Sequence, residues 1–245
     1  MEYLVAVGVL GLLWFAFFAY RSDLRAKMLW CSGYWAILLS LGFLILTILF
    51  PHLPPQSRIV PGYWDPGTIF NLARITGGWS IEDALYMFFT GGIAAVLYDF
   101  VRGQKVPTVS GSLWRRRRAA TLIPAAAVLA MVLLFRVNLM WELIAFCAIG
   151  TAVVWLSRPD LITRSLIGGV CYAVLYYLLW LFFLYFSPDY LVIHHDTANV
   201  SGISVGVLPL EEILFAFTFG LMWSAIYEYA KDIRMASTSP SVVPA

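Results

Sequence analysis

Seven long runs of apolar residues alternate with shorter polar segments along this 245-residue chain. They cover residues 3–20, 28–50, 81–101, 119–135, 137–156, 166–186 and 210–230. Each is close to the ~20 residues that a helix needs to cross the hydrocarbon core of a bilayer. Backbone N–H and C=O groups in lipid must be satisfied within the segment, so runs of this length predict helices. The fourth and fifth runs are separated only by Arg136 and its neighbours, which predicts a tight turn there. The expected fold is an all-α polytopic membrane protein with seven transmembrane helices.

The two long polar interruptions, 51–80 and 187–209, are rich in Pro, Gly, Trp and His, and they hold all three histidines, His52, His194 and His195. Each leads into an acidic pair at the mouth of an apolar run. The first is Ser80-Ile81-Glu82-Asp83-Ala84-Leu85-Tyr86, and the second is Pro209-Leu210-Glu211-Glu212-Ile213-Leu214-Phe215. Without a gap, Glu82 meets Glu211, Asp83 meets Glu212, Tyr86 meets Phe215, Phe88 meets Phe217, Gly91 meets Gly220, Tyr98 meets Tyr227 and Asp99 meets Glu228. This correspondence points to a duplication. Residues 1–101 form a first three-helix repeat, 102–136 a basic loop and linker helix, 137–230 a second three-helix repeat, and 231–245 a disordered tail. A single linker helix makes the copies run in the same sense. The fold class then becomes two parallel three-helix repeats about a pseudo-twofold axis along the membrane normal, with the third and seventh spans facing each other.

Composition agrees with this reading. The chain is 61% hydrophobic and 12% charged, against ~25% charged residues in soluble domains. The net charge of +2 says little as a total, but its distribution matters. One set of loops carries Arg21, Arg25, Lys27, Arg102, Lys105, Arg115 to Arg118, Arg158, Arg164, Lys231 and Arg234, and the other only Arg58, Arg74 and Arg136. The excess of Lys and Arg in cytoplasmic loops then predicts an integral protein of the cell's inner or plasma membrane, with the N-terminus outside and the C-terminus in the cytoplasm. The run Arg115 to Arg118 reads as an anchor on anionic lipid headgroups, not as a nucleic-acid site. Cys31, Cys147 and Cys171 fall inside apolar runs without metal-ligand spacing, and they are expected to be buried and unpaired. The first run lacks a basic leader and a small-residue cleavage site, so it is expected to stay as a span.

The acidic pairs carry the candidate chemistry. Acids in a first helical turn complement the helix dipole, and Pro209 is an ordinary helix start. Two copies of an acidic pair at bilayer depth, however, mark a functional site. Carboxylates held together in a poorly solvated place do not both ionise easily, so one retains a proton. The helix N-terminus makes that proton more acidic, which suits a general acid acting on a weak base. Neighbours on a helix point ~100° apart, so the expected partnership is Glu82 with Glu211, supported by Asp83 and Glu212. Periodicity does not decide which member of each pair looks inward. Trp64, Tyr86, Phe88, Phe215 and Phe217 are expected to line a substrate site, because ring faces attract cations. The same residue types also suit an interfacial belt. Asp99 and Glu228 read as interfacial groups at the cytoplasmic end, and Glu142 either joins the site or snorkels. No metal-ligand set, no G-x-G-x-x-G motif and no other cofactor signal is evident.

The second acidic stretch resembles the P-x-E-E-x-x-F signature of the integral-membrane, heterodimer-type lycopene cyclases, here as a fused two-repeat form. Tyr63-Trp64-Asp65-Pro66, after Gly62, is similar to the aromatic loop before that family's first signature. Ser80 and Asp83 depart from it, standing where the signature has proline and glutamate. The resemblance implies an enzyme, an intramolecular lyase or isomerase, in which a carboxylic acid protonates a terminal alkene of a linear carotenoid. The tertiary cation closes a six-membered ring and loses a proton to give a β, ε or γ end, without net redox change. It also implies lycopene or a related linear carotenoid as substrate, membrane lipid as surroundings and other carotenoid-pathway enzymes as partners. Two other classes fit the layout: a small 3+1+3 transporter, which wants polar groups at the midplane, and a non-catalytic carotenoid-binding homologue. A retinal protein needs a lysine inside the last run, and Lys231 lies beyond it.

Overall fold

The computed structural model describes residues 2–50, 52, 63–103, 114–135, 138–195 and 201–233, with side chains from residue 118 onward in the helix that begins at Trp114. Gly62, Arg58, Lys105, the side chains of Arg115 to Arg117, Arg136, Arg234 and the rest of the tail to residue 245 lie outside these residues, whereas the first three residues of the segment expected to be disordered are ordered: Lys231 closes the last helix and Ile233 is buried. The chain forms α1 (Glu2–Tyr20), α2 (Arg25–Leu49), the short α3 (Leu72–Thr76), α4 (Ile81–Arg102), α5 (Trp114–Phe135), α6 (Leu139–Ser157), α7 (Ile162–Phe186), the short α8 (Tyr190–His194) and α9 (Leu210–Lys231). Seven of these are long and apolar enough to span a membrane. Among the described residues the only sheet is a hairpin of β1 (Ser204–Val205) and β2 (Leu208–Pro209) just before α9.

Helices α4 and α9 form the centre, and both bury nearly all of their second halves. Helix α4 packs against α1 and α2, and α9 packs against α6 and α7. The two central helices also touch each other, with α7 reaching α4 and α2 reaching α9. Each contact thus has a counterpart when α1, α2 and α4 are exchanged for α6, α7 and α9. Helix α5 lies outside, mainly on α6.

Small residues allow this close approach, as lipid offers no hydrophobic drive for helices to associate. A Cβ on Gly91 would lie 2.9 Å from Cβ of Trp35 and 3.0 Å from the carbonyl of Cys31. A Cβ on Gly220 would lie 2.8 Å from Cβ of Tyr172 and 2.9 Å from Cα of Gly169. The turns are paired as well. In Arg21-Ser22-Asp23-Leu24, between α1 and α2, the guanidinium donates twice to Asp23 at 2.8 Å. In Arg158-Pro159-Asp160-Leu161, between α6 and α7, it donates twice to Asp160 at 2.7 and 2.5 Å. Each turn is a single 3-10 segment that buries its leucine.

At the end of the bundle remote from the acidic pairs, Asp99 of α4 and Glu228 of α9 are fully buried, not interfacial as the sequence suggested. Lys27 of α2 binds both, at 2.8 and 2.7 Å. Arg164 of α7 also binds both, at 2.7 and 3.1 Å. The reason for the difference is pairing: a charge in a dry interior is tolerated when it is neutralised and hydrogen-bonded. Lys27 and Arg164 are therefore core residues rather than loop cations. Cys31, Cys147 and Cys171 are free thiols, the first two buried.

Candidate functional site

The first turns of α4 and α9 hold the four acids, all with at most 5% of their surface exposed. Their helical positions divide them into two kinds. Glu82 accepts the backbone N–H of Ile69 at 2.6 Å, and Glu211 accepts that of Ser201 at the same distance. Each of these carboxylates pins the loop that precedes its own helix. Asp83 and Glu212, one position on and ~100° around the helix, line a common cavity instead. The expected pairing of Glu82 with Glu211 at the centre is thus replaced in the geometry by Asp83 with Glu212, and Glu82 and Glu211 hold loops.

Asp83 accepts hydrogen bonds from the Tyr3 hydroxyl at 2.6 Å and the Ser80 hydroxyl at 2.7 Å. Ser80 also caps α4, its oxygen accepting from the Asp83 N–H at 3.1 Å. The two departures from the signature, Ser80 and Asp83, therefore operate together: a serine hydroxyl reaches the second oxygen of the shorter carboxylate, which a proline ring has no donor to reach. Glu212 accepts from the Tyr63 hydroxyl at 2.7 Å and the Tyr176 hydroxyl at 2.5 Å. Nε2 of His195 lies 3.5 Å from the same carboxylate. In the register set by the paired turns, Tyr3 corresponds to Met140 and Tyr176 to Leu39. Both of those line the cavity as apolar walls. The two acids thus occupy equivalent places but face different donors.

The cavity encloses roughly 1370 Å³ of empty space, part of it open to the surroundings. Every membrane-length helix except α5 contributes to it, and its walls are almost wholly apolar or aromatic. Residues from α1, α2, α6 and α7 all line it, and the same exchange of helices carries α1 into α6 and α2 into α7. Trp64, Tyr86 and Phe215 line it, joined by Trp35, Tyr172 and Trp180. Phe88 and Phe217 are half-buried and lie outside the lining; Phe88 packs on Trp14 with ring centres 5.4 Å apart. Glu142 is buried, and it neither snorkels nor reaches the cavity.

The described parts of both long loops meet at this end of the site, where Tyr63, Trp64, Tyr190 and His195 line it. The Asp65 N–H donates to the His194 carbonyl at 3.0 Å, and Nδ1 of His194 lies 2.8 Å from the Asp65 carbonyl. Trp64 and His195 form a backbone bridge. These contacts deliver Tyr63, from the loop before α4, to Glu212 of α9. Burial, with Glu212 beside it, pushes the Tyr63 hydroxyl well above its ordinary value. Burial also raises Tyr190, followed by the effects of Glu2 and Asp83. Tyr3, Tyr176 and His195 had no assigned role in the sequence. The cue for Tyr3 and Tyr176 was the repeat register, because a polar hydroxyl faces an apolar counterpart in each case. Among the described residues, no three His, Cys, Asp or Glu side chains converge in a way that would hold a metal.

A family model described as Lycopene cyclase matches residues 2–101 and 138–230, so it spans both sets of three helices and omits α5. No curated protein and no solved structure matches the chain.

Proposed function

The chain belongs to the lycopene cyclase family, and from that premise we propose that it closes a six-membered end ring on a linear carotenoid by proton addition to a terminal alkene. The observation that carries this reading is one apolar, aromatic-walled cavity receiving a carboxyl group from the same position of each repeat. In the proposed mechanism Asp83 supplies the proton. Its two partners are hydroxyls, which donate to a carboxylate and accept from a carboxylic acid equally well. Proton addition leaves a tertiary cation, the neighbouring alkene attacks it, and a ring carbon becomes cationic. Glu212, fixed as a carboxylate by its donors, and the rings of Trp64, Tyr86 and Phe215 stabilise that charge where water is excluded. Loss of a proton from a carbon beside the ring cation restores neutrality, so the reaction is an isomerisation without net redox change.

Glu82 and Glu211 serve by holding the loops that roof the cavity. The two sets of three helices act as repeats joined by α5, and the excess of lysine and arginine in one set of loops, even without the buried Lys27 and Arg164, supports an N-terminus outside and a C-terminus in the cytoplasm. A polyene dissolved in lipid enters sideways, between α1 and α7 or between α2 and α6, where the cavity walls come from helices that are not closely packed pairs. The test is expression in a cell that accumulates lycopene, followed by pigment analysis. A cyclic product that is absent from cells carrying Asp83→Asn supports the proposal. No cyclic product from well-inserted protein, on lycopene or on a longer linear carotenoid, refutes it.

A further inference from the structure

The ring-forming reading on which this inference rests requires a base as well as an acid, because the ring cation must lose a proton. Glu212 is poorly placed for that step. Its two oxygens already face the hydroxyls of Tyr63 and Tyr176 and the Nε2 of His195. His195 is different. Its side chain is 2% exposed, its residue lines the cavity, and its Nδ1 is buried without any hydrogen-bond partner. An unpartnered buried nitrogen is costly in a resting structure, and it calls for an account. The tautomer that donates Nε2–H toward Glu212 leaves Nδ1 as a bare lone pair.

The ring is held by three aromatic neighbours. Its centre lies 4.5 Å from that of Trp64, 5.3 Å from that of Tyr63 and 5.7 Å from that of Trp180, each edge-on. Its backbone donates to the Leu191 carbonyl at 3.0 Å and bridges to Trp64. A basic nitrogen is thereby set rigidly among aromatic rings, with a carboxylate behind it.

We propose that His195 is the base that takes the proton from the cyclised cation. The C–H bond beside the cationic ring carbon breaks, its electron pair becomes the new ring double bond, and the proton passes to Nδ1. The imidazolium so formed is paired with Glu212, as in other carboxylate-backed histidine bases. Between turnovers the imidazolium gives its proton to water and the Asp83 carboxylate takes one from water, so the cycle closes without any oxidant or reductant. Because His195 is fixed, its position selects which of the adjacent C–H bonds is broken, and so the position of the double bond in the product ring.

The test uses the full-length protein in lipid vesicles with lycopene, either unlabelled or deuterated at the carbons flanking the ring cation. His195→Gln keeps an N–H donor for Glu212 but lacks a basic nitrogen. Tyr63→Phe removes a donor to Glu212 and leaves the base in place. We expect His195→Gln to slow ring formation about 10²-fold or more, to make the rate sensitive to the deuterium label and to broaden the mixture of ring isomers. Tyr63→Phe is expected to retain the isomer distribution of the parent. An unchanged isomer distribution and no isotope sensitivity in His195→Gln overturn the proposal, whatever the rate. A parent protein that forms no ring overturns the underlying cyclase reading, and this inference falls with it.

Discussion

Substituting each of the four acids by its amide separates the two kinds of carboxylate. Glu211→Gln and Glu82→Gln keep an oxygen that accepts the Ser201 or Ile69 N–H, now at 2.6 Å. The change is from a charged to a neutral acceptor, from roughly 1.5–3 to roughly 0.5–1.5 kcal/mol, so each costs about 1 kcal/mol of stability. Neither group lines the cavity, so ring formation should stay within a few-fold of the parent. Asp83→Asn removes the proposed proton donor, a role worth ~10²–10⁴ in rate. At ~1.4 kcal/mol per decade, that raises the barrier by about 3–5 kcal/mol. Glu212→Gln should fall in the same range, because an amide neither balances the cation nor accepts from all three donors. The assay is ring product per mole of protein in vesicles with lycopene, with thermal unfolding in detergent as the control for folding. Full turnover by Asp83→Asn or Glu212→Gln, together with inactive but stable Glu82→Gln and Glu211→Gln, would refute the division.

Further outcomes follow from the packing. Lys27→Met leaves two buried acids, Asp99 and Glu228, sharing the single cation Arg164 and should cost ~3–5 kcal/mol; adding Glu228→Gln should recover part of that loss in a detergent melt. Gly220→Ala places a methyl 2.8 Å from Cβ of Tyr172 and should destabilise by ~1–3 kcal/mol. Gly33→Ala in α2 meets nothing within 4 Å and should stabilise by up to ~1 kcal/mol. Ser80→Ala removes both the cap and a donor to Asp83, costing ~1 kcal/mol and lowering activity more than stability. The Tyr63 hydroxyl is raised by burial, so above its unfolded value of about 10 the unfolded chain ionises first. Stability should then be intact below that pH and decline as pH rises through it, and less steeply in Tyr63→Phe.

The seven spans were legible in the sequence because lipid imposes a length and an apolar composition on each helix. The boundaries slipped where charge intervened. The second and sixth runs were placed at 28–50 and 166–186, whereas the helices run Arg25–Leu49 and Ile162–Phe186. Lys27 and Arg164 had marked the ends, yet they lie inside helices as partners of Asp99 and Glu228. Hydropathy has no means of knowing that a charge will be neutralised by a residue 65 or more positions away. The acidic pairs were legible as a place but not as an orientation. Adjacent residues on a helix diverge, and the choice between Glu211 and Glu212 depends on where the preceding loop offers an N–H. The match of Arg21-Ser22-Asp23-Leu24 to Arg158-Pro159-Asp160-Leu161 was available in the sequence. It fixes the register of the outer helices and exposes Tyr3 and Tyr176 as unmatched hydroxyls. His195 had no local signal, because its importance arises from two loops meeting across the bundle.

The central claim is that a carboxylic acid protonates a carbon of the substrate and that nothing is oxidised or reduced. Turnover of lycopene in deuterium oxide, with the purified protein in vesicles and mass analysis of the product, tests it most directly. The account predicts one deuterium for each ring formed, on the carbon that received the acid's proton, and none in substrate incubated with Asp83→Asn. Rings that form over many turnovers without deuterium would contradict it.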